Sequence, residues 1–213
     1  MRVRRDQSGQ SSMVEIVTTL FILSIVMVFV YASVGTAGTA IAGEERRLVN
    51  MDEARTLMAV VTKDLRTAAR LQAGTSPFVA AADRDVTFYA NLNNTTGGPR
   101  KVRIYIDSTN SLISQAWAPD AGSVSPNYTY TGAPTLRYVG RYVANTSTDP
   151  IFTYYDVNGA TLSPTPLDSA GLLAVYSVGI KLSVRKQTTL PVRAVRVENR
   201  VRLPNVDYQQ TTS

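Results

Sequence analysis

The side chains that could perform chemistry in this chain are carboxylates, amines, guanidinium groups, phenols and hydroxyls. The 213 residues include no histidine and no cysteine. This composition excludes a Ser-His-Asp triad, a cysteine nucleophile, a redox dithiol and any metal site built on thiolate or imidazole ligands. No carboxylates stand in a recognisable catalytic pair. The sequence therefore predicts a protein that is not an enzyme and that uses no metal or other cofactor.

Two groups of loop residues have the composition, but not the spacing, of a ligand site. The aspartates at 83, 85, 107 and 120 do not match a calcium-binding loop, so we interpret them as turn residues. Residues 91–99 are rich in glycine and asparagine but lack the lysine of a phosphate-binding loop. We expect this segment to be a surface turn.

The last quarter of the chain carries many basic residues, in a protein of net charge +6. They are Arg185, Lys186, Arg193, Arg196, Arg200 and Arg202, with Arg137 and Arg141 upstream. Basic groups neutralise phosphate, and the tyrosines at 128, 130, 138, 142, 154 and 155 could stack on single-stranded bases. However, arginines alternate with apolar residues over 195–203, which is also typical of a strand with one face in solvent. Three interpretations follow: a solvated face, a contact with an acidic partner subunit, or a nucleic-acid face.

Residues 16–43 contain no charged side chain. A helix needs about 20 apolar residues to cross a bilayer, so this segment is long enough. It is preceded by Arg2, Arg4 and Arg5, which predicts a cytoplasmic N-terminus and an external C-terminal region. A cleaved secretory signal, with the small residues 37–40 at the cleavage site, and a simple retained anchor are the competing interpretations.

Glu15 lies at the start of this apolar segment, where an unpaired carboxylate is costly. The other interpretation is an interfacial residue that lipid headgroups solvate. The order of a basic leader, Gly9, a short polar step, the sequence Met-Val-Glu-Ile at 13–16 and a long apolar segment resembles the type IV prepilin signature. The resemblance implies that prepilin peptidase removes the leader on the cytoplasmic side and that the new N-terminus is methylated. It also implies that the glutamate neutralises the N-terminal amine of a neighbouring subunit. Buried opposite charges compensate for each other's desolvation only when they are paired.

The resemblance places leader cleavage among Gly9, Gln10 and Ser11. In the family, the glutamate is the fifth residue of the mature chain. Cleavage after Gly9 makes Glu15 the sixth mature residue, whereas cleavage after Gln10 makes it the fifth. Glutamine, however, is not the residue that the peptidase normally accepts. Both sites therefore remain open.

Residues 44–73 predict an amphipathic continuation of the helix, ended by Gly74 and Pro77. The apolar stripe comprises Leu48, Met51, Ala54, Met58, Val61, Leu65 and Ala68. The sequence Asp-Leu-Arg-x-Ala at 64–68 is similar to minor pilins of the PilW type and to the J pseudopilin of type II secretion. A solvated helix face is the other interpretation of Asp64 and Arg66.

From residue 85 onward, apolar residues alternate with polar ones. Strands are predicted at 85–90, 101–106, 111–117, 136–143, 151–155, 160–162, 175–184 and 192–203, with turns at 107–110 and 156–159. These strands predict an antiparallel sheet. The expected fold class is α+β and pilin-like, with a long N-terminal helix packed on the sheet.

We therefore expect a basic leader at residues 1–10, a transmembrane assembly helix at 11–43, an amphipathic half-helix at 44–73 and a β-rich head at 74–213. The resemblance implies a minor pilin or pseudopilin of the cytoplasmic membrane, which joins a cell-surface filament. Its partners would be other pilins, prepilin peptidase and membrane lipid. The alternative is a single-pass anchored surface domain that binds DNA or polysaccharide through the basic C-terminal sheet face.

Overall fold

A computed structural model describes the backbone of residues 8–92, 97–186 and 193–204, and their side chains from residue 13 onward. The fold is α+β, as predicted. The elements in chain order are α1 (Ser8–Arg66), β1 (Phe78–Ala81), β2 (Asp85–Ala90), β3 (Arg100–Ile106), β4 (Leu112–Trp117), β5 (Thr135–Gly140), β6 (Phe152–Tyr155), α2 (Ser169–Ala174), β7 (Ser177–Val184) and β8 (Val195–Arg202). The chain forms two compact units, Met1–Arg46 and Arg47–Ser213.

The strands of the second unit form two antiparallel sheets, where the sequence suggested one. β1 to β5 make a five-stranded meander, and β6, β7 and β8 make a three-stranded sheet. The chain leaves the first sheet at Gly140 and continues along β7 of the second. There Val143 bridges Val184, and the Ala144 N–H donates to the Ser183 carbonyl at 2.7 Å. The predicted strand at 136–143 therefore spans two sheets, because its last residues pair with a different partner.

Both sheets and residues 47–66 of α1 share one hydrophobic core. Leu57, Val61 and Leu65 of the helix are fully buried together with Phe88 of the first sheet and Leu182 of the second. The predicted apolar stripe is confirmed from Ala54 to Ala68. Its first two residues do not belong to the core. Leu48 is 66% exposed and Met51 is half-buried.

Helix α1 ends at Arg66, so the prediction that it would continue to residue 73 was wrong. The N–H groups of Thr67 and Ala68 donate to carbonyls three residues back, which tightens the last turn. The Ala69 N–H then donates to the Tyr89 carbonyl, and the Asn91 N–H donates to the Thr67 carbonyl. Pairing with the end of β2 thus replaces the next helical turn. Tertiary hydrogen bonds override the local helical pattern here.

The sequence placed β2 correctly and located β3, β4, β6, β7 and β8 to within three residues at each end. It missed β1 and α2, and the predicted strand at 160–162 is only an isolated bridge between Tyr155 and Thr161. The turn at 107–110 is confirmed. The Asp107 carboxylate accepts the N–H groups of Thr109 and Ser111, and these bonds lower its pKa.

Candidate assembly helix and basic sheet face

The N-terminal part of α1 presents apolar side chains on every side. Each large apolar residue from Met13 to Ile41 is exposed, by between 41% for Ile25 and 79% for Tyr31. This helix is long and apolar enough to cross a membrane. An apolar surface this continuous is not stable in water and requires lipid or other helices around it.

Five hydroxyl groups within the apolar segment are compatible with that environment. Those of Thr18, Thr19, Ser24, Thr36 and Thr39 donate to backbone carbonyls three or four residues earlier in the helix. A hydroxyl satisfied by its own helix does not need water. These residues therefore add little to the cost of placing the segment in a hydrocarbon medium.

Glu15 is the acidic residue at the start of this surface, between the exposed Val14 and Ile16. Its side chain is exposed, and it makes no hydrogen bond or ion pair with the part of the chain that the structure describes. Gly9, Gln10 and Ser11 lie within α1. Their side chains, and the arginines at 2, 4 and 5, lie outside the described residues.

The six C-terminal basic residues separate into two groups. Arg196, Arg200 and Arg202 lie exposed on β8, whereas Val195 and Val201 of the same strand are buried in the core. Arg185 and Lys186 follow β7, and Arg193 precedes β8, so these three lie at the connection between the two strands. All six side chains are exposed. The half-solvated strand predicted at the C-terminus is therefore confirmed, although the basic residues do not form one continuous stripe.

Acidic partners compensate part of the charge on the outer face of β7 and β8. Arg196 binds Glu198 at 2.8 Å and Asp149 at 3.3 Å, and Lys181 also pairs with Asp149. In each of these pairs, at least about a quarter of both side chains is exposed to solvent, so the pair adds little to stability. Their main effect is that this part of the face is electrically mixed.

The other basic side chains of this sheet lie over tyrosine rings. The Arg200 guanidinium is 3.9 Å from the centroid of Tyr155, and the Arg202 guanidinium is 4.8 Å from the centroid of Tyr176. At the strand connection, the Lys186 ammonium is 6.0 Å from the ring of Tyr142. These distances are typical of cation–π contacts.

The tyrosines that could have stacked on bases are dispersed. Tyr154 is buried, and its hydroxyl donates to the Ala82 carbonyl at 2.9 Å. Tyr130 stacks on Tyr89 at 5.6 Å, and Tyr138 lies on β5 in the other sheet. The structure therefore does not bring the tyrosines named in the sequence together beside the β8 arginines, Tyr155 excepted.

Asp64 and Arg137 form a contact that the sequence did not predict. The Arg137 guanidinium on β5 donates to the Asp64 carboxylate on α1 at 2.7 Å. Burial raises the pKa of Asp64, while the charges of Arg137 and Lys63 oppose that rise. Asp64 is thus a buried structural residue, not part of a solvated helix face, and Arg137 does not belong to the basic sheet face. No signal along the chain connects residues so far apart.

The four aspartates considered as calcium ligands have separate partners. Asp83 accepts from the Thr165 hydroxyl, Asp85 binds Arg103 through both oxygens, and Asp120 accepts from the backbone of Thr131. Asp107 lies in the turn described above. Among the described residues there is no group of three or more potential acidic metal ligands.

No protein-family model matches this chain, and a search of curated proteins found no significant match.

Proposed function

We propose that this chain is a minor pilin or pseudopilin, a membrane-held precursor that is processed by prepilin peptidase and assembled into a filament. The observation that carries the proposal is an apolar part of α1 that is exposed from Met13 to Ile41 and carries the carboxylate of Glu15 near its start. A simple membrane anchor needs the apolar segment but has no use for an acidic residue at its edge.

The proposed mechanism is packing without catalysis. In the membrane, lipid covers the apolar surface of α1. On assembly, helices of neighbouring subunits replace the lipid, and Glu15 pairs with the N-terminal amine of an adjacent subunit. Both charges then leave water together, and the pair fixes the axial position of each subunit. The β-rich unit at 47–213 supplies the exposed surface of the filament.

Intact-mass analysis of the protein purified from membranes tests the processing step. We expect the precursor to be shorter by 9 or 10 residues and to carry one additional methyl group. The two lengths distinguish cleavage after Gly9 from cleavage after Gln10. A Gly9→Val variant should retain the full leader if Gly9 ends it. A wild-type chain with an intact, unmethylated N-terminus would contradict the proposal.

The second candidate is an anchored surface domain that never assembles and binds DNA or polysaccharide. The exposed arginines on the outer face of β8 favour it. In this case, the same measurement should find an unprocessed N-terminus. Purified protein should also bind an oligonucleotide or a polysaccharide with an affinity that falls when Arg196, Arg200 and Arg202 are replaced by glutamine.

A further inference from the structure

We propose that Arg200 is a preorganised binding group for a carboxylate of a partner protein, in a groove on the outer face of the three-stranded sheet. The inference concerns this groove alone and does not depend on assembly through α1. The groove has a volume of about 320 Å³, and the residues that line it include Thr153, Tyr155, Gly179, Lys181 and Arg200. It is large enough for one or two side chains.

Gly179 makes the groove possible. It lies on β7, directly between Thr153 of β6 and Arg200 of β8. A Cβ atom at this position would be 3.0 Å from the Tyr155 ring. Because glycine has no side chain, the ring of Tyr155 lies close against β7 and forms the floor on which Arg200 rests.

Two contacts hold the Arg200 guanidinium in place. It lies over the ring of Tyr155, 3.9 Å from the centroid, and its Nε–H donates to the hydroxyl of the buried Ser177 at 2.9 Å. The side chain is thus ordered before any ligand arrives, which removes much of the entropy cost that a free arginine would pay on binding.

Most of the binding capacity of this group is unused among the residues that the structure describes. A guanidinium has five N–H donors, and the terminal nitrogens of Arg200 have no hydrogen-bond partner among residues 8–92, 97–186 and 193–204. Two terminal N–H groups that point the same way match the two oxygens of a carboxylate. Arg202, by comparison, has further contacts within the chain.

The surroundings favour a protein carboxylate over the phosphates of a nucleic acid. Glu198 lines the same groove, and Asp149 pairs with Lys181 beside it, so a row of phosphates would meet an electrically mixed surface and not a uniformly basic one. The face of Tyr155 is also covered by Arg200, which leaves it unable to stack on a base. A single carboxylate on an otherwise neutral segment fits this mixed electrostatic environment.

The test uses the full-length protein in nonionic detergent micelles and a capped Gly-Gly-Glu-Gly-Gly peptide, which carries a single carboxylate, as the probe. Arg200→Lys keeps the charge but removes the two-pronged donor, and we expect it to weaken peptide binding roughly five- to tenfold. Arg193→Lys is the matched control at an exposed arginine, and it should change the affinity less than about twofold. Titrations followed by NMR should shift the Arg200 Nε–H and Gly179 amide signals.

Two further arms decide between the ligand classes. A glutamine version of the peptide should not bind measurably, and a single-stranded hexathymidine should bind more weakly than the acidic peptide at physiological salt. Equal losses in Arg200→Lys and Arg193→Lys would overturn the proposal, since they would indicate non-specific attraction. Preferential binding of the oligonucleotide would overturn it as well, in favour of a nucleic-acid face.

Discussion

Replacement of Glu15 by leucine is expected to abolish incorporation of the chain into filaments while leaving the β-rich unit folded. In the proposed filament, the carboxylate compensates a buried N-terminal amine of the adjacent subunit. Removing one partner of a buried ion pair costs about 3–5 kcal/mol, because the other charge remains buried without compensation. Per subunit contact, this corresponds to an assembly constant that is lower by roughly two to four orders of magnitude.

The measurement is co-sedimentation of the variant with filaments sheared from cells, compared with its amount in the membrane fraction. Leucine makes the apolar segment longer, so membrane insertion should be preserved or improved. A loss confined to the filament fraction would therefore come from assembly and not from failed insertion. Glu15→Gln should also be defective, since it keeps the polar shape but lacks the charge.

Glu45→Leu provides the matched control. Glu45 is an exposed acidic residue of the same helix, but it lies beyond the apolar segment. We expect this variant to assemble normally. The near-UV circular dichroism and the melting temperature of both variants should equal those of the unmodified protein. Normal assembly of Glu15→Leu would remove the role proposed for this residue and would favour the simple membrane anchor.

The parts of the fold that depend on neighbouring residues could be predicted from the sequence. The alternation of apolar and polar residues identified β2 at its observed bounds. The turn at Asp107 also followed, because aspartate side chains accept hydrogen bonds from the backbone two to four residues later. The buried helix positions at Val61 and Leu65 also followed, because helical spacing fixes which side chains share a face. Each of these features is decided within about a dozen residues.

The features that were missed depend on partners distant in the chain. Helix α1 stops at Arg66 because Ala69 and Thr67 pair with the end of β2, and nothing local distinguishes that outcome from one more helical turn. The division into two sheets depends on Val143, which pairs with Val184 although the pattern of its own segment continues β5. Short elements such as β1 carry too few residues to show a period.

The candidate site shows the same division. Alternation correctly placed Arg196, Arg200 and Arg202 on an exposed strand face. It could not show that Arg200 rests on Tyr155 beside a glycine, since these residues come from three different strands. The residue pattern along the chain therefore predicts which strand face carries the charge. The contacts that each charged side chain makes in the folded protein decide what it can bind.

The buried pair of Asp64 and Arg137 leads to the second large effect. Arg137→Leu is expected to lower the free energy of unfolding by about 2 kcal/mol at pH 7, because the Asp64 carboxylate then remains in the interior without its principal counter-ion. This value is below the usual range for buried pairs, since Arg137 itself is 54% exposed and water screens part of the attraction. Arg141→Leu removes a nearby exposed arginine and should cost less than about 0.5 kcal/mol.

The effect should depend on pH in a defined direction. Burial raises the pKa of Asp64 above the value of the unfolded chain, so the folded state holds its proton to higher pH. Ionisation of this group is therefore linked to a loss of stability as pH rises through the folded pKa. Loss of Arg137 raises that pKa further. The difference in stability between Arg137→Leu and the unmodified protein should thus be small near pH 4 and largest at neutral pH.

Adding Asp64→Asn to Arg137→Leu tests whether the uncompensated charge is the cause. Asparagine has nearly the same shape and no charge, so the double variant should regain at least half of the lost stability at pH 7 and should lose the pH dependence. Urea denaturation at pH 4.5 and pH 7, followed by circular dichroism of the full chain in detergent, measures both quantities. Strictly additive losses in the two substitutions would show that Arg137 acts through packing of its aliphatic stem, and that Asp64 does not require a counter-ion.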